Sequence, residues 1–293
     1  MTTYSDFISK KLGINIPTGI EPAPIRHSLF YHQVSLVEWA LRRGRAAIFA
    51  DTGLGKTRME LEWADQVAAH TNAPVLILTP LAVAAQTVAE AISIGINAQI
   101  VRDSKDVPPG RGVVVCNYDR LHRLDADVFG GVVLDESSVI KHHDAKTFSQ
   151  LTDAFRWTRF KLCATATPAP NDWTELGTHA EFLGVCTRSE MLSEYFVHDG
   201  GETQVWRLKG HAKGLFWRWV CSWGAMIRKP SDLGFDDGLY NLPPIHVTEH
   251  VIECSRPADG MLFAMEAQTL SERRSARRDS IADRVRECAS IVN

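Results

Sequence analysis

The chain has few cysteines, and they are not organised. Cys116, Cys163, Cys186, Cys221, Cys254 and Cys288 are scattered along 293 residues, and no two form a Cys-x-x-Cys pair. Without that pairing there is no zinc-ribbon signature, and without dense, regular spacing there is no disulfide scaffold of the secreted kind. Long apolar runs are also missing. Residues 73–96 are the most apolar stretch, and Pro80, Gln86 and Glu90 interrupt it well short of a membrane span. The first residues lack the apolar core of a signal peptide. A cytoplasmic protein with no membrane partner is therefore expected. Charge of one sign is not in excess: the formal net charge is -3, so any site for a polyanion must be a local basic patch and not a global field. Repeats and low-complexity segments are absent, and a hydrophobic fraction of 45% argues against wholesale disorder.

What is present is a set of short apolar runs. Residues 46–50, 75–79, 112–116, 131–135 and 161–165 are dense in Val, Ile, Leu and Ala and do not alternate with polar residues. Such runs suit strands buried on both faces. Helical stretches such as 58–69 and 81–94 lie between them, and alternation of strand and helix predicts an α/β fold with a parallel sheet flanked by helices. The unusual residues follow the strands: 53–57 after the first run, Asp135 and Glu136 at the end of another, and 165–168 after the last. In open α/β sheets ligands bind beyond the carboxyl ends of the strands, so these clusters are expected to converge.

The segment Ala50-Asp51-Thr52-Gly53-Leu54-Gly55-Lys56-Thr57 stands between a strand and a helix. Glycines let backbone N–H groups cradle phosphate oxygens, and the helix N-terminus adds partial positive charge. Thr52, Gly53, Leu54, Gly55, Lys56 and Thr57 are thus the candidate ATP-binding residues. Lys56 would reach the β- and γ-phosphates, and the Thr57 hydroxyl would ligate Mg²⁺. A plain glycine turn opening a helix is the bland alternative, and Gly-Lys-Thr in this context favours the phosphate loop. Ala50 stands where the general pattern has glycine. Asp135 and Glu136 close an apolar strand with adjacent carboxylates. Asp135 would hold Mg²⁺, directly or through water, and Glu136 would orient and deprotonate an attacking water. A lone Asp-Glu pair is more often a solvated turn or a cap, but a phosphate loop upstream favours catalysis.

These motifs resemble the superfamily 2 helicases and, within them, the Swi/Snf-type translocases and their phage-encoded relatives. The Ala-x-Thr-Gly-x-Gly-Lys-Thr form at 50–57 is that superfamily's version of the loop. Asp135-Glu136-Ser137-Ser138-Val139-Ile140-Lys141 looks like its DEAH-x-I-K box, with Ser137 and Ser138 in place of Ala-His. Thr165-Ala166-Thr167-Pro168-Ala169-Pro170-Asn171, followed by Glu175-Leu176, is similar to the motif linking the ATP site to the DNA site, which makes Thr165 and Thr167 coupling residues. Thr79, Pro80, Asn117 and Tyr118 fall where the family contacts the DNA backbone, and Tyr31-His32-Gln33 resembles the upstream motif in which Gln33 reads adenine. The resemblance covers roughly residues 28–256. It implies a first RecA-like lobe that binds ATP and Mg²⁺ and couples hydrolysis to movement on nucleic acid, DNA rather than RNA.

The implied organisation is an N-terminal segment (1–27), a RecA-like ATP-binding core (28–180), a helical, aromatic-rich elaboration (181–241), and a linker with the start of a second lobe (242–293). Ile227-Arg228-Lys229 and Leu242-Pro243-Pro244 look like the family's approach to that second lobe, which carries the arginine fingers. A finger is worth on the order of 10³–10⁵ in rate in related phosphoryl transfer. The chain alone is therefore expected to bind ATP better than it hydrolyses it, with a second lobe supplied in cis or in trans. A non-catalytic ATP- and DNA-binding module completed by a partner chain is the rival reading, and an ATPase with no nucleic-acid role a weaker one. Trp217, Trp219 and Trp223 suit packing better than base stacking. The arginines between 273 and 286 are diluted by Glu272, Asp279, Asp283 and Glu287 and suit a solvated face. His142-His143-Asp144 has no matching ligand partner, so no metal is expected there.

Overall fold

Seven short strands form one sheet in the order Ala98–Ile100, Gly112–Asn117, Pro74–Thr79, Gly131–Asp135, Phe160–Ala164, Arg45–Ala50 and Gly224–Ile227, and every pairing is parallel. The computed structural model describes residues 17–25, 27–198, 206–240, 247–251 and 269–292. Five of the strands are the expected apolar runs: β1 (Arg45–Ala50), β2 (Pro74–Thr79), β4 (Gly112–Asn117), β5 (Gly131–Asp135) and β6 (Phe160–Ala164). All residues of β2, β5 and β6 are buried, which is why their sequences do not alternate. The other two, β3 (Ala98–Ile100) and β9 (Gly224–Ile227), have only three and four residues and lie at the sheet edges.

The helices α1 (Tyr31–Arg43), α2 (Lys56–Thr71) and α3 (Ala84–Ser93) come first in the chain. Then follow α4 (Lys146–Ala154), α5 (Leu176–Leu183), α6 (Arg188–Tyr195) and α7 (Lys213–Cys221). Neighbouring strand residues point to opposite faces, so the sheet separates two cores. Ile48, Val75, Ile77 and Val133 pack with Leu36, Met59 and Trp63 of α1 and α2. Phe49, Leu76, Leu78 and Leu134 pack with Leu151, Phe182, Phe216 and Trp223 on the other side.

The stretch 181–241 is not helical throughout. It holds the antiparallel hairpin β7 (Phe196–His198) and β8 (Trp206–Leu208), and β9 completes the main sheet beside β1. β9 is a strand because β1 offers it an open edge: Ala47, Ile48, Phe49 and Ala50 register with Gly224, Ala225, Met226 and Ile227. Of the four tryptophans in this stretch, Trp219 and Trp223 are core residues, and Trp206 and Trp217 are partly exposed.

The chain divides into two units, residues 1–241 and 242–293. The described part of the second unit includes α8 (Leu270–Asp279) and α9 (Ile281–Val292), whose arginines are exposed. Leu242-Pro243-Pro244 and the first sixteen residues lie outside the described residues. Among the described residues no helix is long and apolar enough to cross a membrane.

Candidate nucleotide site

β1 ends at Ala50 and α2 begins at Lys56, so the candidate phosphate loop leaves the carboxyl edge of the sheet and turns into a helix N-terminus. Two glycines make that turn possible. Gly53 and Gly55 have φ of +81° and +77°, a region that L side chains rarely adopt. A Cβ on Gly55 would also stand 2.3 Å from Gln33 Nε2. Gln33 is 2% exposed and braces the loop: its Nε2 donates to the Leu54 carbonyl at 2.9 Å, while its Oε1 accepts from the Phe30 amide at 2.9 Å. Lys56 Nζ donates to the Ala50 carbonyl at 3.0 Å, and Asp51 Oδ1 accepts from the Thr52 amide at 2.7 Å. The amides of Lys56 and Thr57, in the first turn of α2, have no carbonyl within the helix to bond. The loop thus presents N–H groups, an ammonium and a helix dipole in one place.

β5 carries the acidic pair to the same edge. It lies between β2 and β6, and β6 lies beside β1. Asp135 is 6% exposed, and its carboxyl is pushed up to about 6 by burial and by the neighbouring Glu136. Glu136 has φ +50° and ψ +52°, a left-handed conformation that costs a non-glycine residue roughly 1–2 kcal/mol. Its carboxylate accepts a hydrogen bond from Thr165 Oγ1 at 3.1 Å, and Thr165 Oγ1 accepts from the Thr167 amide at 3.2 Å. Tyr118 turns its hydroxyl inward to donate to the Asp135 carbonyl at 2.7 Å, and burial raises it well above the ordinary phenol range.

The remaining candidates lie along the same edge. Thr79 and Asn117 are register partners at the ends of β2 and β4. Thr79 is fully buried and its hydroxyl donates to the Pro80 carbonyl at 3.2 Å, while Asn117 Oδ1 is buried without a partner. Beyond Thr167, Asn171 donates through its amide and its Nδ2 to the Glu175 carboxylate, at 3.3 and 2.8 Å.

Two residues of this region carried no sequence signal. Glu60, one helical turn beyond Lys56 on α2, is 1% exposed with neither carboxyl oxygen partnered; burial, then Asp135, raise it well above the carboxylate range. His179 on α5 is fully buried, with its Nε2 3.1 Å from Ser137 Oγ. Both resemble ordinary helix residues until the chain is folded.

The donor set suits a hard divalent cation. The Thr57 hydroxyl and the carboxylates of Asp135 and Glu136 are oxygen ligands of the kind Mg²⁺ takes alongside phosphates. The glycine cradle at Gly53 and Gly55 leaves the room a phosphate chain needs, with nothing within 4 Å of a Cβ built on Gly53.

No protein-family model matches the sequence, and no match is found among curated proteins. The fold does have solved neighbours. The chain superposes on the Sulfolobus solfataricus SWI2/SNF2 ATPase core in complex with dsDNA with a TM-score of 0.59 at 18% identity, over 76% of this chain and 48% of that one. The same core domain solved by itself gives a TM-score of 0.56 at 18% identity, over 78% and 50%. The chain thus spans about half the length of the structures it matches. A parallel sheet with helices on both faces is the arrangement of a RecA-like lobe, and this chain shares the fold of the SWI2/SNF2 ATPase core.

Proposed function

We propose that this chain is the first RecA-like lobe of an ATP-dependent DNA translocase or helicase. The observation that carries the reading is the convergence, on one sheet edge, of a phosphate loop, an acidic pair and the hydroxyl that bridges to it: Thr165 Oγ1 to Glu136 Oε2, 3.1 Å. Two backbone glycines in the left-handed region and a lysine one residue on support a phosphate cradle. Loop amides and Lys56 hold the phosphate oxygens of ATP, and Gln33 fixes the loop and faces the base. Thr57 and Asp135 hold Mg²⁺, which when bound neutralises charge on the β- and γ-phosphates. Glu136 orients a water and takes its proton, and Thr165 and Thr167 connect that carboxylate to the turn at Asn171. Thr79, Pro80, Asn117 and Tyr118 lie along the edge where the nucleic-acid backbone would run. Duplex DNA is the favoured partner because the neighbour of the same fold was solved in complex with dsDNA.

ATP turnover with and without duplex DNA tests this, with Glu136→Gln as the background. We expect Mg-ATP binding that Lys56→Ala abolishes, and DNA-stimulated turnover that Glu136→Gln removes while ATP stays bound. Tight ATP binding by Lys56→Ala overturns the site. A second reading is favoured by the chain spanning about half of the SWI2/SNF2 cores it matches: a lobe that binds Mg-ATP and turns it over only when a second RecA-like lobe is added, in cis or in trans. Binding without turnover, restored by that lobe, would select it.

A further inference from the structure

His179 belongs to α5, on the face of the sheet opposite α2, and its ring meets Phe49 edge-to-face with centroids 5.4 Å apart. Both His179 and Ser137 are 0% exposed, and Nε2 of the one lies 3.1 Å from Oγ of the other. His179 Nδ1 has no partner of good hydrogen-bond geometry, so the bond to Ser137 Oγ is the ring's one side-chain hydrogen bond, with the backbone of Glu175 and Ser137 also bearing on it. Burial holds the imidazole neutral, with its pKa lowered to about 4. Ser137 directly follows Glu136, whose left-handed backbone persists only where the surroundings over-determine it. Two contacts do so. Thr165 Oγ1 holds the carboxylate, and His179 holds the next side chain along. The helix that carries His179 starts at Leu176, immediately after Glu175, which fastens the turn at Asn171. One rigid element therefore grips the acidic pair and the turn that follows Thr165 and Thr167.

We propose that His179 is a positioning residue: through Ser137 it keeps Glu136 in the left-handed conformation that presents its carboxylate to Thr165 and to the attacking water. The inference rests on reading Glu136 as the group that activates water, and it makes α5 the element whose displacement would release the carboxylate.

The test uses the full chain with Ser137→Ala, His179→Phe, the double variant and His179→Gln, which can still bond the serine. Amide hydrogen exchange comes first because it needs no turnover. The amides of Val139 and Lys141 bond back to the carbonyls of Glu136 and Ser138, so they report on this turn. We expect each single variant to speed their exchange about tenfold, the double variant to be no faster, and His179→Gln to stay near the unmodified protein. The amides of Phe160–Ala164 in β6 should be unchanged in all four. Kinetics comes second: kcat should fall about tenfold in Ser137→Ala and His179→Phe with Mg-ATP affinity unaltered. Unaltered exchange in both singles, losses that add in the double, or loosening of β6 together with the turn would assign His179 to packing and overturn the proposal. Should His179→Phe fail to fold, Ser137→Ala decides alone. An unmodified chain that binds no ATP sinks the nucleotide-site reading, and the exchange data still decide whether the pair holds Glu136.

Discussion

Glu60 is buried as completely as the leucines around it, yet neither of its carboxyl oxygens has a partner. Burying a polar group without a hydrogen bond is costly, and burying it ionised beside Asp135 and Glu136 is costlier, with Lys56 only partly offsetting the repulsion. Replacement by an apolar side chain of similar length should therefore stabilise the fold. Glu60→Met is expected to raise the free energy of unfolding by about 1–3 kcal/mol in urea denaturation. The sign with pH follows from the raised folded-state value. The native state keeps the proton after the unfolded chain has lost it, so the unmodified protein loses stability as pH climbs above the ordinary carboxylate range. The advantage of the variant should accordingly be smaller at pH 4 than at pH 7. An advantage that shrinks as pH rises would mean that Glu60 is ionised and paired in solution.

Within single elements, the phosphate loop and the β6–α5 contact are open to direct tests. In the loop, Gly55 combines a positive φ with a neighbour that a Cβ would strike. Gly55→Ala should destabilise the protein by about 1–3 kcal/mol and weaken ATP binding, measured by calorimetry. Trimming the neighbour in Gly55→Ala/Gln33→Ala should recover only part of the loss, because the strained backbone remains. Full recovery would make the clash the whole cause. In the sheet, Lys161 of β6 is 2% exposed and donates from Nζ to the Phe182 carbonyl at 2.8 Å, near the C-terminal end of α5. Burial, with Arg45 adding repulsion, lowers its pKa to about 8. Between about 8 and the ordinary lysine value the unfolded chain binds more protons than the native one, so stability should rise with pH across that window. The penalty below it is about 3 kcal/mol on this basis. Relative to Lys161→Met, the unmodified protein should gain stability between pH 7.5 and 10.5 in urea titrations. Parallel curves for the two proteins would mean that the ammonium is already satisfied by the carbonyl and the Phe182 ring, 4.9 Å away.

For the molecule as a whole, the sheet and both of its cores fall within the first unit, residues 1–241. Every candidate site residue lies there too. A fragment of residues 17–241 should therefore unfold as one cooperative transition and bind Mg-ATP with an affinity within about threefold of the full chain. Loss of cooperativity, or of binding, would show that residues 242–293 complete the site or the core. The same fragment offers a clean background for adding a second lobe in trans, where turnover is the quantity expected to change.

Five of the seven strands of the sheet were legible in the amino-acid order, as was the placing of the candidate phosphate loop and acidic pair at strand ends. Strands buried on both faces must be Val-, Ile- and Leu-rich throughout, and phosphate and metal chemistry demands glycine, lysine, hydroxyl and carboxylate at close spacing. β3 and β9 were not legible, since three or four residues carry no periodicity and take strand geometry only when an existing edge pairs with them. The tryptophans at 217 and 219 show the same limit: residue type was plain, but the phase of α7 decided that Trp219 is core while Trp217 reaches the surface. Ser137 and His179 lie 42 positions apart, and nothing in their local sequence announces a partner. Their contact, like the burial of Glu60 near Asp135, exists because parallel strand order brings distant helices onto one sheet edge. Local chemistry is written in neighbouring residues; long-range contacts are set by topology, which appears only once the sheet has formed.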